Sequence, residues 1–70
     1  MSIDCEVQRL ELGDVVLIDL PGEPAKVEAK VVRQIERTQT GVLVTLRVAG
    51  RDDFVREWIL DQMVTVVRGP

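Results

Sequence analysis

The sequence predicts an all-β fold, a small and partly open antiparallel barrel of five strands with a short N-terminal extension. The chain is rich in valine, and β-branched side chains pack well on a pleated surface. Its apolar runs are short, and Gly, Pro and Asp separate them at regular spacing. This spacing is typical of strands joined by turns.

The first two predicted strands flank a proline–glycine turn. Residues 15–20 are almost all apolar, which predicts a strand covered on both faces. Pro21 and Gly22 suit the centre of a type II turn, because proline fixes φ and glycine accepts positive φ. The second strand is predicted over residues 25–37. Its inward set ends at Ile35, and a bend near Val32 and Arg33 reconciles the change of face.

Three further strands are predicted over residues 42–48, 53–59 and 63–68. A hairpin turn over residues 38–41, in which Gly41 is able to take positive φ, precedes the first of them, and one tight helical turn over residues 60–62 precedes the last. In the strand over residues 53–59 both sets of alternate residues contain apolar side chains. The pattern therefore leaves open which set faces the interior.

The long, bent second strand and the tight turn before the last strand favour an SH3-like barrel over residues 13–70. The nearest alternative, an OB-fold, normally has a helix between its third and fourth strands, and the connection here is too short for one. Residues 1–12 are predicted to form an N-terminal arm or edge strand. Ile3, Cys5 and Val7 alternate as in a strand, although Ile3, Val7 and Leu10 also fit one face of a helix.

Parts of the sequence resemble two known families. The first resemblance is to SH3-like barrels of the Tudor and KOW type, and it is carried by LGDVVLID, the long basic strand after it and the closing WILDQMVTVV. This resemblance implies a binding domain. GDVVLIDLPG and LDQMVTV are also similar to the opening and closing segments of bacterial toxin endoribonucleases. Those enzymes carry an Arg-Pro pair after the first loop. AKVEAKVVRQ stands at that place here and has no such pair, so we expect the chain not to be catalytic. A toxin-type endoribonuclease, degenerate or catalytic, remains an alternative function.

The composition excludes several kinds of site. There is no histidine, which removes histidine-based triads and general bases, and Cys5 is the only cysteine, which removes disulfides and typical zinc sites. Asp52 and Asp53 are adjacent, but a cation site needs more converging oxygens, and a turn explains the pair better. We therefore predict no catalytic residue, no metal ion and no cofactor.

Charge is distributed unevenly along the chain. Residues 1–25 contain six acidic residues and one arginine, whereas residues 26–51 contain six basic residues and two glutamates. The basic side chains of the predicted central strands are candidates for binding a polyanion such as RNA or DNA: Lys26, Lys30, Arg33, Arg37 and Arg47. Cations on outward positions also protect sheets from unwanted pairing, and that explanation remains open.

The few aromatic residues define a second candidate surface. Phe54, Arg56 and Trp58 alternate along one strand and form a strip that could stack on a base or contact a protein partner. The alternative is that the two aromatic rings fill the barrel. Two aromatic residues are too few to build a methyl-lysine cage or a groove for proline-rich peptides.

The sequence favours a cytoplasmic binding or adaptor domain. It has no export signal and no apolar run long enough to span a membrane. Too many apolar residues fall on outward or doubly apolar positions, which predicts a protein partner or self-association: Val15, Leu17, Val32, Leu43 and Val67. The net charge of −3 makes nucleic-acid binding the weaker alternative.

Overall fold

The protein folds as one open antiparallel β-sheet, which a computed structural model describes over residues 1–33 and 36–68. The seven strands are β1 Ser2–Glu6, β2 Val15–Ile18, β3 Val27–Val31, β4 Glu36–Arg37, β5 Gly41–Arg47, β6 Phe54–Ile59 and β7 Met63–Val67. Their order is β1–β7–β2–β3–β5–β4, and β6 pairs with the other edge of β5. The all-β prediction is confirmed.

Helical structure in the described residues is limited to a single 3-10 turn, Val7–Arg9. None of the described helical structure is long and apolar enough to cross a membrane.

The predicted long second strand is divided into β3 and β4, which corrects the predicted count of five strands. Both pair with the same edge of β5, where Val31 lies opposite Leu46 and Arg37 lies opposite Val42. Six residue steps separate Val31 from Arg37, but four separate Leu46 from Val42, so extra residues lie between β3 and β4. Such an insertion interrupts a ladder and bends the strand. The predicted bend is confirmed at Arg33, whereas Ile35 lies outside the described residues.

The N-terminal segment adds an edge strand to the sheet. β1 pairs with the whole of β7, from Ser2 opposite Val67 to Glu6 opposite Met63. The chain then turns inward, and Val7 and Leu10 join the hydrophobic core. The N-terminal segment is thus an integral part of the fold.

Three turns test the local predictions. The proline–glycine turn is confirmed, because Gly22 has a φ of 84° and the Glu23 N–H donates to the Leu20 carbonyl at 3.1 Å. The hairpin turn over residues 38–41 is present, since the Thr38 N–H donates to the Gly41 carbonyl at 2.9 Å, but Gly41 does not use the positive φ that glycine permits. A Cβ atom there would instead overlap the backbone carbonyl of Trp58. Residues 59–62 form a β-turn rather than a helical turn, with Asp61 at a φ of 67°.

The core lies on one face of the sheet and consists almost entirely of aliphatic side chains. Alternate residues of β5 fill its centre, where Val42, Val44 and Leu46 are fully buried. β2 and β7 contribute Val16 and Val66, which lie directly opposite each other. No polar or charged residue among those described is buried, so apolar burial is the main source of stability.

Candidate functional site

Strand β6 turns its aromatic side chains towards the core. Trp58 is only 9% exposed and belongs to the core, and the half-buried Phe54 packs against it. The register with β5 requires this orientation, because Trp58 lies opposite Val42 and Phe54 opposite Leu46, both fully buried. The two rings mainly fill the interior, and their role in stacking on a ligand stays a prediction.

Arg56 lies between the two aromatic residues and is held by neutral groups. Its guanidinium carbon lies 5.9 Å from the centre of the Trp58 ring, a cation–π distance. Its Nη2 donates to the backbone carbonyl of Asp19 at 3.2 Å. None of the ion pairs among the described residues involves Arg56. Since a guanidinium has five N–H donors, this half-buried side chain keeps capacity to bind a carboxylate.

The opposite side of β6 presents apolar side chains to solvent. Val55 is 60% exposed and Ile59 is 66% exposed, although both lie within a regular strand. Leu43 of β5 lies opposite Glu57 and is therefore on the same side of the sheet, where it is half-buried. We call Val55, Ile59 and Leu43 the β6 patch.

One edge of β6 has no neighbouring strand among residues 1–33 and 36–68. The Leu60 N–H donates to the Thr40 carbonyl at 3.3 Å, and this pair continues the register of β5 and β6. Antiparallel ladders alternate between hydrogen-bonded and non-hydrogen-bonded pairs. The N–H and C=O groups of Val55 and Glu57 therefore point away from β5, towards the open edge.

Two cavities lie along this edge and meet at Arg56. The larger has a volume of about 560 Å³ and lies between the start of β6 and the two loops beside it, where Leu20, Arg51 and Phe54 contribute to its walls. The smaller, of about 220 Å³, lies beside Trp58 and the ends of β2 and β7. Those two strands pair only between residues 15–17 and 65–67, so their remaining ends leave this space.

Ion pairs neutralise several of the basic side chains. Arg47 binds Asp53 with two hydrogen bonds, of 2.8 and 3.0 Å. The hydrogen bond from Arg47 lowers the pKa of the Asp53 carboxyl and raises the pKa of the Arg47 guanidinium. Lys26 contacts Asp19 at 3.1 Å.

A further ion pair joins the two loops beside the larger cavity. The guanidinium of Arg51 lies 3.2 Å from the carboxylate of Glu23. This contact holds the β2–β3 loop against the β5–β6 turn.

The five candidate polyanion-binding residues do not form one continuous surface. Lys30 lies directly opposite Arg47, and Arg33 is close enough to Asp53 to contribute to lowering its pKa. Lys26 lies beyond the other end of β3, paired with Asp19. Arg37 is exposed and lies opposite the buried Val42, at the far end of β5 from Arg47. Only Lys30, Arg33 and Arg47 are brought together.

The remaining candidate groups have ordinary surroundings. Partial burial, followed by the charge of Asp14, raises the pKa of the Cys5 thiol and so disfavours the reactive thiolate. In the pair Asp52–Asp53, the second carboxylate is occupied by Arg47. Among the described residues no cluster of three potential metal ligands occurs.

The apolar residues assigned to outward positions are all half-buried: Val15, Leu17, Val32, Leu43 and Val67. On the outer face of β2 and β7, Val15 lies opposite Val67, so these two side chains partly cover each other. Val55 and Ile59 of β6, where the sequence left the orientation open, are more exposed than these five residues, as are Met1, Leu12 and Met63 outside β6.

Comparison of the chain with protein-family models, curated proteins and solved structures finds no match.

Proposed function

We propose that this chain is a non-catalytic protein-binding domain with an SH3-like barrel, and that it contacts its partner through the β6 patch. The observation that carries the proposal is the exposure of Val55 and Ile59 within a regular strand. Exposed apolar side chains that cluster on a sheet face mark contact surfaces more often than isolated ones do. On β6 itself Glu57 separates Val55 from Ile59, and on β5 Leu43 lies opposite Glu57, between the levels of the two apolar residues.

The strand order supports the fold part of the proposal. If β3 and β4 are counted as one bent strand, the sequence-consecutive strands β2, β3–β4, β5 and β6 are neighbours, and β7 returns to pair with β2. Such connectivity supports a five-stranded SH3-like barrel, with β1 added at the edge. Such barrels serve many functions, so the function rests on the surface rather than on the fold.

The charge distribution favours a protein over a polyanion as the partner. Lys26 and Arg47 already contact carboxylates, and Arg37 lies away from Lys30 and Arg47. A protein partner needs no such basic surface, because apolar contacts and main-chain hydrogen bonds supply the binding free energy.

Selection from a displayed library of random dodecapeptides tests this function. We expect the purified protein to select peptides whose affinity falls at least about tenfold on Val55→Lys or Ile59→Lys, since each change places a charge in an apolar contact. Leu12→Lys is the matched control, because Leu12 is 64% exposed but lies outside β5 and β6. Failure to select any peptide, or affinities indifferent to the β6 variants, would refute the proposal.

A further inference from the structure

We propose that the open edge of β6 binds an extended segment of a partner protein as an added β-strand, and that one carboxylate of this segment binds Arg56. The inference rests on the proposed protein-binding function and specifies its ligand. In this mode main-chain hydrogen bonds supply much of the affinity, and alternate side chains supply the specificity.

The backbone of β6 offers the hydrogen-bonding groups that an added strand needs. Val55 and Glu57 direct their N–H and C=O groups to the open edge, two residues apart, as the ladder with β5 requires. An incoming strand would lie about 4.8 Å from β6. The two cavities along this edge, of about 560 and 220 Å³, leave room beside Phe54 and Trp58 for its side chains.

Arg56 determines the chemistry of the ligand. It is the residue common to both cavities, and its side chain is half-buried between the Trp58 ring and the Asp19 carbonyl. These neutral contacts fix the guanidinium without neutralising it. The nearby carboxylate of Asp19 contacts Lys26 instead. A carboxylate on the incoming strand would therefore find a preorganised donor, and Arg–carboxylate pairs are among the stronger hydrogen-bonded contacts.

A single carboxylate fits this site better than a polyanion does. Asp52 lines the larger cavity together with Arg56, and Glu23 approaches it through its contact with Arg51. These acidic side chains would repel successive phosphates. The apolar walls, which include Leu20 and Phe54, instead suit apolar side chains beside the carboxylate.

A second copy of this chain is a poorer occupant than a partner segment. Two β6 strands related by a two-fold axis would pair residues of the same parity. The two registers that pair most of the strand place either Arg56 opposite Arg56 or Glu57 opposite Glu57. Like charges directly opposite each other destabilise antiparallel pairs.

Amide hydrogen exchange of the protein with the selected dodecapeptides tests the binding mode. We expect bound peptide to slow exchange of the Val55 and Glu57 amides, which point to the open edge. The amides of Arg56 and Trp58 serve as internal controls, because they already face β5 and should change little. Peptides methylated on every second backbone nitrogen provide another control. Methylation of the N–H groups that face β6 should abolish binding, whereas methylation of the intervening N–H groups, which face away from β6, should not.

A double-mutant cycle tests the carboxylate. Replacing the acidic residue of a selected peptide by its amide should weaken binding at least about tenfold to the natural protein and have little further effect with Arg56→Gln. Arg56→Lys should restore part of the difference, because it keeps the charge but loses the planar fork. Lys30→Gln removes a positive charge elsewhere on the sheet and should leave the difference unchanged.

The outcomes separate this inference from the function on which it rests. Peptides that depend on Val55 and Ile59 but neither protect the β6 edge nor respond to Arg56 would overturn the inference and leave the proposed function standing. Absence of peptide binding would overturn both. Protection of the same amides by a second copy of the chain, or by single-stranded RNA, would show that the proposed occupant is wrong.

Discussion

Replacement of Gly41 by alanine should destabilise the protein strongly, because of a close approach between two backbones. A Cβ atom at this position would overlap the carbonyl oxygen of Trp58 and also approach its carbonyl carbon. Neither atom belongs to a side chain that can rotate away. We therefore expect a loss of about 3 kcal/mol, at the upper end of the range for overpacking. The total for a domain of this size is roughly 4–10 kcal/mol.

Urea unfolding and thermal melting monitored by circular dichroism measure this loss. For a domain of this length, about 3 kcal/mol corresponds to a fall in melting temperature of about 12–24 °C. The matched control is Gly50→Ala, where φ is 79° and no atom lies within 4 Å of a built Cβ. Only backbone strain acts there, with a cost of about 1–2 kcal/mol.

Asparagine distinguishes the two reasons for a glycine. Gly50→Asn should cost less than Gly50→Ala, because asparagine tolerates positive φ. Gly41→Asn should cost at least as much as Gly41→Ala, because every Cβ meets the same carbonyl. If Gly41→Asn is instead the milder change, or if Gly41→Ala leaves the melting temperature unchanged, the close-approach explanation is wrong.

Four further outcomes follow from the structure. Because Arg47 lowers the pKa of Asp53, the stabilisation from this ion pair is present above the unfolded pKa of about 3.9 and is lost below it, as the pH falls through the folded pKa. The difference in the free energy of unfolding between the natural protein and Asp53→Asn should therefore shrink when urea titrations are repeated in acid. Fluorescent single-stranded RNA should bind with dissociation constants of micromolar or weaker and a log–log salt slope no steeper than about −2, since few cations converge; sub-micromolar, sequence-selective binding would contradict this. Incubation with single-stranded RNA in the absence of metal should give no cleavage, whereas cleavage abolished by Arg33→Gln would support the endoribonuclease alternative. Sedimentation equilibrium at micromolar concentration should show a monomer, and a dimer disrupted by Ile59→Lys would favour self-association through the β6 patch.

Strand positions were predictable where alternate residues differ sharply in polarity. In β5, Val44 and Leu46 alternate with the polar Thr45 and Arg47, and the structure buries Val44 and Leu46 together with Val42 of the same parity. The same rule could not orient β6, because Val55 and Ile59 are as apolar as the residues of the other parity. The position of Gly50 could have oriented β6. Gly50 is the midpoint of the β5–β6 register, and a hairpin centred on one residue pairs even-numbered positions with even-numbered ones. Once the even-numbered residues of β5 are assigned to the core, those of β6 follow.

Features that depend on distant neighbours could not be read from the sequence. The role of Gly41 is set by the carbonyl of Trp58, and no local pattern reports that approach. The division of the second strand depends on how its two parts pair with β5. The sequence marks Arg56 as a candidate contact residue because it lies between two aromatic residues, but its proposed role in binding a carboxylate depends on its three-dimensional surroundings. Only the fold shows that it lies against Trp58 and the Asp19 carbonyl, at the meeting point of two cavities.

The charges at the edges of the sheet bear on how selective an added strand must be. β1 carries Asp4 and Glu6, and β6 carries Arg56 and Glu57 on opposite sides of one edge. Charged residues on edge strands oppose indiscriminate pairing with other chains. A strand added to β6 must therefore place an acidic residue next to Arg56 and avoid one next to Glu57. Because neighbouring residues of a strand face opposite sides, a single partner can satisfy both conditions by alternation. An edge that discourages pairing in general thus becomes selective for one pattern, in which an acidic residue is flanked by apolar ones.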